Sequence, residues 1–191
     1  FPYTTLFRSL RRNMNMTYIV MDNQIYGLTK GQTSPSSAKG FVTKSTPKGN
    51  IEKNVAPLEL ALSSGATFVA QGFSSDIKAL TKMIEDAIHH DGFSFVNVFS
   101  PCVTYNKVNT YDWFKEHLTS IDDIEGYDIT DKQLAMKTVL DHESLVKGIV
   151  YQDTTTPSYE SQISELEHEA LAKRDIHITE ETFNDLTAQF L

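Results

Sequence analysis

An α/β fold with a parallel sheet flanked by helices is what this sequence predicts, and three observations carry the prediction. Short, nearly continuous apolar runs recur at Met16–Met21, Thr67–Ala70, Phe93–Phe99 and Leu145–Tyr151. Segments with apolar residues at helical spacing lie between them. Turn residues punctuate the boundaries. Runs of this kind are the pattern of strands buried on both faces, and strands alternating with helices imply right-handed crossovers and a sheet covered on both sides.

Taken in order, residues 1–9 (Phe1-Pro2-Tyr3-Thr4-Thr5-Leu6-Phe7-Arg8-Ser9) match the in-frame translation of a common sequencing-library adapter. The alternative is an ordinary N-terminal strand, which Tyr, Thr and Phe would suit. The adapter reading makes this segment an artefactual leader, expected to pack poorly and set apart from fold reasoning. Met16–Met21 then reads as a doubly buried strand ending in Asp22-Asn23. Tyr26–Asn54 is a long stretch of Gly, Ser, Thr, Pro and Lys; a loop of that length in a compact domain is functional or disordered.

Pro57–Ser64 predicts a short helix, with Pro near its start and Gly65 just past its end. Thr67–Ala70 predicts a strand and Gly72–Ser75 a turn. Asp76–His90 predicts an amphipathic helix whose apolar face is Ile77, Leu80, Ile84 and Ile88, filled in by Ala79, Met83 and Ala87. Phe93–Phe99 is the next strand, closed by Ser100-Pro101-Cys102. A short helix around Asp112–His117, a helix over Asp131–His142 and a last strand at Leu145–Tyr151 follow. Residues 10–153 thus form one domain portion. Residues 154–191 read as a linker, Thr154–Ser158, and a helical tail over 160–173 and 179–190, the latter opened by a cap at Thr179 and acids in its first turn.

The chain has 191 residues, room for one sizeable domain. A net charge of −8 argues against nucleic-acid binding. No apolar run is long enough to span a membrane, and the features of a signal peptide are missing. Cys102 is the single cysteine, which excludes an intrachain disulfide and fits a reducing, cytoplasmic setting.

In open parallel sheets ligands sit beyond the carboxyl ends of the strands. Three features fall there: Asp22-Asn23 with the segment Gln24–Gln32, the turn at Gly72, and Ser100-Pro101-Cys102. The first offers two glycines, a hydroxyl and a cation. Backbone N–H groups freed by glycine can cradle phosphate, and the Asn23 amide oxygen with a backbone carbonyl suits Mg²⁺. On spacing alone a glycine-containing surface loop is the better fit. His89-His90 are adjacent on a helix and point too far apart to share a metal, so they read as helix-end residues; His142, His168 and His177 receive no role.

Met21-Asp22-Asn23-Gln24-Ile25-Tyr26-Gly27-Leu28-Thr29-Lys30-Gly31-Gln32-Thr33-Ser34-Pro35 resembles the second half of the thiamine-diphosphate motif of 2-oxoacid:ferredoxin oxidoreductase β subunits. Ser100-Pro101-Cys102-Val103-Thr104-Tyr105-Asn106 resembles the second signature of that family, and Leu60–Ala70 matches between them. The resemblance runs from Leu10 to about Asp153. It implies a thiamine-diphosphate-binding fold of the pyrimidine/pyrophosphate-domain kind, with the cofactor held by Asn23, Ile25, Gly27, Leu28 and Thr29. Asn23 and the Ile25 carbonyl are the implied Mg²⁺ ligands. Leu28 and Lys30 are candidates for the substrate side, and a solvated loop lysine is the alternative for Lys30. Cys102 is the implied ligand of a [4Fe–4S] cluster; on its own it reads as a small buried hydrophobe. The family's Gly-Asp-Gly-Asp segment and its other cysteines belong upstream of Leu10, so an N-terminally truncated domain is expected.

The implied function is oxidative decarboxylation of a 2-oxoacid, with 2-oxoglutarate favoured by the Leu28-Thr29-Lys30 version, to an acyl-coenzyme A, electrons passing through [4Fe–4S] to ferredoxin. The implied partner is the family's α subunit, and this chain alone is expected to be inactive. Two alternatives stand beside it: a non-redox thiamine-diphosphate decarboxylase or carboligase, and an inactive fragment that only binds the α subunit.

Overall fold

The computed structural model describes residues 3–164, 171–173, 177–188 and 190. Contacts divide the chain into two compact units, Phe1–Tyr159 and Glu160–Leu191. In the first, helix α1 (Tyr3–Arg12) leads into strand β1 (Met16–Asp22), followed after a long loop by α2 (Pro57–Ser64), β2 (Phe68–Phe73), α3 (Ile77–His89) and β3 (Phe93–Phe99). Then come α4 (Tyr111–His117), the two-residue β4 (Thr119–Ser120), α5 (Lys132–Asp141) and β5 (Val146–Gln152). The five strands make one sheet in the order β1-β3-β2-β5-β4.

Local chemistry explains the boundaries. Pro57 opens α2, and Gly65 ends it in the left-handed conformation at φ 97°, donating its N–H back to the helix. Asp76 caps α3 by accepting from the Ala79 N–H, Thr110 caps α4, and Asp131 caps α5 by accepting from Gln133 and Leu134. Alternation along the central strands splits the core in two. Val69, Phe93 and Phe95 face α2 and α5, meeting Leu58, Leu62, Ala135 and Val139. Phe68, Ala70, Val96 and Val98 face α3, meeting Met83 and Ala87. Each of the buried Val, Leu, Met and Phe side chains among these contributes roughly 1.5–3 kcal/mol relative to exposure.

The structure corrects several expectations. The strand β1 is not covered on both faces: it is an edge strand, with Ile19 43% and Met21 75% exposed. The buried stripe of α3 is Leu80, Met83 and Ala87, while Ile77 and Ile88 face outward. The turn expected at Gly72 begins two residues later, because Gly72 and Phe73 are still paired to β3. Most consequentially, the sheet is mixed. Strands β1, β3 and β2 are parallel, but β5 runs antiparallel to β2. The seven residues of α4 span about 10 Å, against about 23 Å for a seven-residue strand, so this segment does not recross the sheet. The chain re-enters from the edge it left by, and β4–α5–β5 forms a parallel pair of its own in the reversed direction.

Over residues 1–9, where a poorly packed leader is expected, the chain is helical from Tyr3 onward. Leu6 and Phe7 are half-buried against the core that Leu10 enters fully. The first unit continues through Thr154–Ser158, with Ser158 buried. In the second unit, single 3₁₀ turns at Glu160–Gln162 and Leu171–Lys173 occupy the described parts of the expected 160–173 helix. Residues 165–170, with His168, and 174–176 lie outside the described residues. Helix α6 (Glu180–Ala188) is capped as expected, Thr179 Oγ1 accepting from the Thr182 N–H.

At the amino ends of the strands one buried network ties α1, β2 and β3 together. Asn13, itself left-handed at φ 52°, accepts at Oδ1 from the Phe93 N–H (2.8 Å) and Thr67 Oγ1 (2.7 Å). Its Nδ2 donates to the Thr156 and Pro157 carbonyls. Thr67 has spent its one proton on Asn13, so the 2.7 Å contact with His90 Nε2 requires the ring to donate there. Asn13→Ala leaves the buried Phe93 N–H and the Thr67 hydroxyl without partners. We expect a loss of about 2–4 kcal/mol in urea unfolding with the sheet otherwise intact. Burial holds the His90 pKa below its ordinary 6.5, against the opposing pull of Asp91 and Asp153. A base lowered in the folded state contributes stability that is complete above 6.5 and is eroded as pH falls below it. His90→Gln, which keeps a donor, is expected to flatten that decline between neutral and mildly acidic pH, read from urea midpoints across the range.

Candidate functional site

Strands β1, β3 and β2 end in one row, Asp22 opposite Phe99 and Phe99 opposite Phe73. The segments that leave this row therefore start side by side. Beneath it, Phe73 and Phe99 pack on Phe114 of α4 as a rigid aromatic floor.

The turn after β1 is built around Asp22. Its carbonyl accepts from the Ser100 N–H at 2.8 Å, extending the β1–β3 ladder by one step. Its Oδ1 accepts from the Gln24 N–H (3.0 Å) and Ser36 Oγ (2.6 Å). Burial raises the Asp22 pKa, and the bonds from Ser36 and Gln24 pull it back down. Gln24 takes the left-handed conformation, φ 55°, and Asn23 Oδ1 accepts from the Ile25 N–H at 3.1 Å. Ile25 is buried. A tight hairpin follows: the Tyr26 N–H donates to the Gln32 carbonyl and the Gly31 N–H to the Tyr26 carbonyl. Leu28 stands at its tip, 99% exposed, with Thr29 and Lys30 exposed beside it.

The second strand-end segment meets this hairpin. A Cβ on Gly27 would lie 3.4 Å from Cys102 Sγ and 3.7 Å from Asn23 Nδ2, so the glycine backbone sits against both side chains. Gly31, at φ 93°, backs onto Tyr105, whose ring a Cβ would approach to 3.1 Å. Asn106 is almost fully buried; its Oδ1 accepts from the Val108 and Asn109 N–H groups, and its Nδ2 reaches the Asn23 carbonyl at 3.5 Å. The expected residues Asn23, Ile25, Gly27 and Cys102 are thus brought together, while Leu28, Thr29 and Lys30 are presented outward. Gly72 is buried inside β2.

A cavity of about 600 Å³ opens beside the turn, walled by Tyr18, Val20, Phe95 and α1 residues, with Asp22, Asn23, Gly27 and Thr29 at its rim. Among the described residues, no Lys or Arg lines it. An anion held there would rely on backbone N–H groups or on a cation brought with it. The donor set suits a hard cation: the Asn23 amide oxygen keeps a lone pair beyond its bond to Ile25, and backbone carbonyls flank it. Among the described residues no group of three or more His, Cys, Asp or Glu side chains is placed to hold a metal ion. The donors present therefore fit a Mg²⁺ shared with ligand oxygens, and one corner of an iron–sulfur cluster through Cys102.

The sequence reading did not single out Ser36, Ser37, Asn50 or the buried pair Gln71 and Asn97. Gln71 Nε2 donates to the Ser144 and Val146 carbonyls, which fixes its Oε1 as acceptor for Asn97 Nδ2. This amide pair bolts β3 to the antiparallel β5.

Residues 3–98 match the family model described as thiamine pyrophosphate enzyme, C-terminal TPP binding domain. The chain belongs to the thiamine pyrophosphate enzymes. Residues 102–168 match the model for the C-terminal region of the pyruvate ferredoxin oxidoreductase beta subunit, and the boundary between the two falls at the Ser100-Pro101-Cys102 segment. Among relatives, the 2-oxoacid:ferredoxin oxidoreductase subunit beta of Sulfolobus sp is 40% identical over 163 residues, which are 80% of this chain and 53% of that protein. The 2-oxoglutarate oxidoreductase subunit KorB of Mycobacterium tuberculosis is 45% identical over 101 residues, 53% of this chain and 27% of its own length. The solved 2-oxoglutarate:ferredoxin oxidoreductase from Magnetococcus marinus, with 2-oxoglutarate, coenzyme A and succinyl-CoA bound, superposes with a TM-score of 0.83 at 32% identity. It covers 96% of this chain and 62% of that one. The chain spans about half the length of the first two curated relatives it matches. The thiamine-diphosphate domain and the family expected from the sequence are the ones found.

Gly31 couples the two strand-end segments of this domain by close approach. Gly31→Ala forces a side chain into a left-handed position and against Tyr105. We expect it to cost about 1–3 kcal/mol in urea unfolding.

Proposed function

We propose that this chain is the thiamine-diphosphate-binding part of the β subunit of a 2-oxoacid:ferredoxin oxidoreductase. Its reaction is the oxidative decarboxylation of a 2-oxoacid, 2-oxoglutarate in the first place, to an acyl-coenzyme A with electrons delivered to ferredoxin. The observation that carries this reading is the meeting of Gly27, Asn23 and the Cys102 thiol at one point on the carboxyl edge of the sheet. A non-redox thiamine enzyme does not need the Ser-Pro-Cys signature. The names of the relatives support the substrate class and the acceptor.

Thiamine diphosphate supplies, when bound, the nucleophilic carbon and electron sink for decarboxylation, and a [4Fe–4S] cluster supplies a one-electron route outward. The residues of this chain hold and shield. The Asn23 side-chain oxygen and the Ile25 carbonyl would hold Mg²⁺, which would offset the charge of a diphosphate in a cavity lined, among the described residues, by no lysine or arginine. Gly27 admits the ligand to the backbone because nothing projects from it. Thr29 offers a hydroxyl at the rim. Leu28 stands where an apolar side chain excludes water once a partner covers it, and Lys30 beside it favours an anionic substrate. Cys102 supplies one sulfur to the cluster, aimed by Pro101, whose ring fixes its own φ and keeps Ser100 extended. The remaining cluster ligands, the second Mg²⁺ carboxylate and the cover over Leu28 come from the rest of the β subunit and from the α subunit, in a cytoplasmic complex.

The test uses the complete β subunit assembled with its α subunit. Asn23→Ala is expected to weaken Mg²⁺–thiamine diphosphate binding by at least the ~10–100-fold that loss of an outer partner already costs a metal site. Cys102→Ala is expected to lose iron and ferredoxin reduction while still retaining thiamine diphosphate, measured by iron content and cofactor titration. Full iron content and normal ferredoxin turnover in Cys102→Ala would remove the thiol from the cluster and the electron path, and a wild-type complex that binds thiamine diphosphate but holds no iron and reduces no ferredoxin would leave the non-redox reading.

A further inference from the structure

The left-handed Gln24 stands between the two oxygen donors of the turn, Asn23 and Ile25. A non-glycine residue in that conformation is held by its surroundings, and here both of its backbone groups are gripped by side chains. Its N–H donates to Asp22 Oδ1, the same oxygen that accepts from Ser36 Oγ at 2.6 Å. Its carbonyl accepts from Ser37 Oγ at 2.7 Å. Ser37 is fully buried, and its hydroxyl also accepts from the Ser34 N–H at 2.9 Å. The serine pair is anchored from behind by the buried Asn50, whose Nδ2 donates to the Ser37, Ala38 and Glu52 carbonyls and whose Oδ1 accepts from the Glu52 N–H.

We propose that Ser36 and Ser37 are positioning residues that set the Asp22–Ile25 turn, and with it the direction in which Asn23 and Ile25 present their oxygens. Resting on the cofactor reading only for what the turn presents, the inference gives the long loop after the hairpin a purpose. The loop returns two hydroxyls, one on each side of Gln24, to fix a backbone conformation the turn does not favour by itself. Ser36 works through Asp22. With its hydroxyl gone, Asp22 Oδ1 keeps only the Gln24 N–H, and its carboxylate is free to rotate away. Ser37 works on the carbonyl directly. A cation that tolerates little departure from octahedral geometry is sensitive to both.

The half-buried Ser36 is the position to test, because Ser37 lies in a sealed site where a substitution endangers folding. The experiment compares the wild-type chain with Ser36→Ala and Ser36→Thr by residue-resolved amide hydrogen exchange and by Mn²⁺ relaxation enhancement with thiamine diphosphate present. The expected result is an increase of about tenfold in exchange at the Gln24 and Ile25 amides of Ser36→Ala, with the β2 and β3 amides unchanged and the wild-type rates restored by Ser36→Thr, which keeps the hydroxyl. Unaltered exchange at Gln24 and Ile25 would overturn the proposal. So would acceleration spread evenly over the sheet, or failure of Ser36→Thr to restore the rates, since either describes a merely structural serine. The Mn²⁺ arm separates the two claims. A wild-type chain whose Asn23 resonances show no Mn²⁺ effect, also in the complete complex, sinks the cofactor reading while the exchange data still decide the clamp. Where wild type does respond, a weaker response in Ser36→Ala supports the clamp, and an equal one overturns it.

Discussion

The turn that leaves the carboxyl end of β1 depends on how Asp22 is bonded. Its carbonyl belongs to the sheet, through the Ser100 N–H, and its side chain belongs to the loops, through Gln24 and Ser36. One residue thereby transmits the rigidity of β1 and β3 to a turn that has no regular structure of its own. The arrangement has an electrostatic cost, since burial pushes the carboxyl's pKa up. A buried carboxylate is tolerated where hydrogen bonds or a cation offset its desolvation. The two bonds to its Oδ1 supply part of that offset, and a divalent cation beside Asn23 would supply more. The residue that organises the turn would thus also favour a cation held at it.

Elements whose signals are local were legible in the sequence. Pro57 and Gly65 bracket α2, and the capping side chains of Asp76 and Asp131 open α3 and α5, because caps and left-handed stops act within a few residues. What failed were statements about neighbours. Met16–Met21 is apolar enough for a doubly covered strand, yet pairing in the described structure places it at an edge, and its hydrophobicity carries no record of which side lies open. The direction of β5 was hidden for a similar reason: the alternation of strand and helix is real, but the brevity of α4 reverses the chain before β4–α5–β5 begins.

The site divides along the same line. Asn23, Ile25, Gly27 and Cys102 were legible because two short motifs carry them, and the structure brings the motifs into contact through Gly27. The supporting side chains were not. Ser36 lies fourteen residues from Asp22, and Ser37 and Asn50 lie thirteen apart. Neither spacing has a helical or strand period, so the long loop read only as functional or disordered. Its density of Ser, Thr and Asn was the available signal, since these side chains substitute for backbone partners in irregular segments.

This bears on how a cofactor domain of this kind distributes its labour. The cavity beside the turn has aromatic and aliphatic walls and, among the described residues, no cationic side chain, so its affinity for a phosphorylated ligand does not come from charge on those walls. In the proposed cofactor site it would come from a held cation together with backbone N–H groups, and a small, strongly hydrated cation is held well only by oxygens that do not move. Rigidity at Asn23 and Ile25 is then the property the proposed site would ask of the fold. The aromatic floor of Phe73, Phe99 and Phe114, the Asp22 peptide bonded to Ser100, and the amides of Asn106 and Asn50 stacked behind the turns all serve that requirement. Exposure is left to Leu28, Thr29 and Lys30 at the hairpin tip, the residues proposed to face substrate and partner. A partner that completed the proposed site would then meet a turn already tied to the sheet through Asp22 and a hairpin tip whose side chains are exposed.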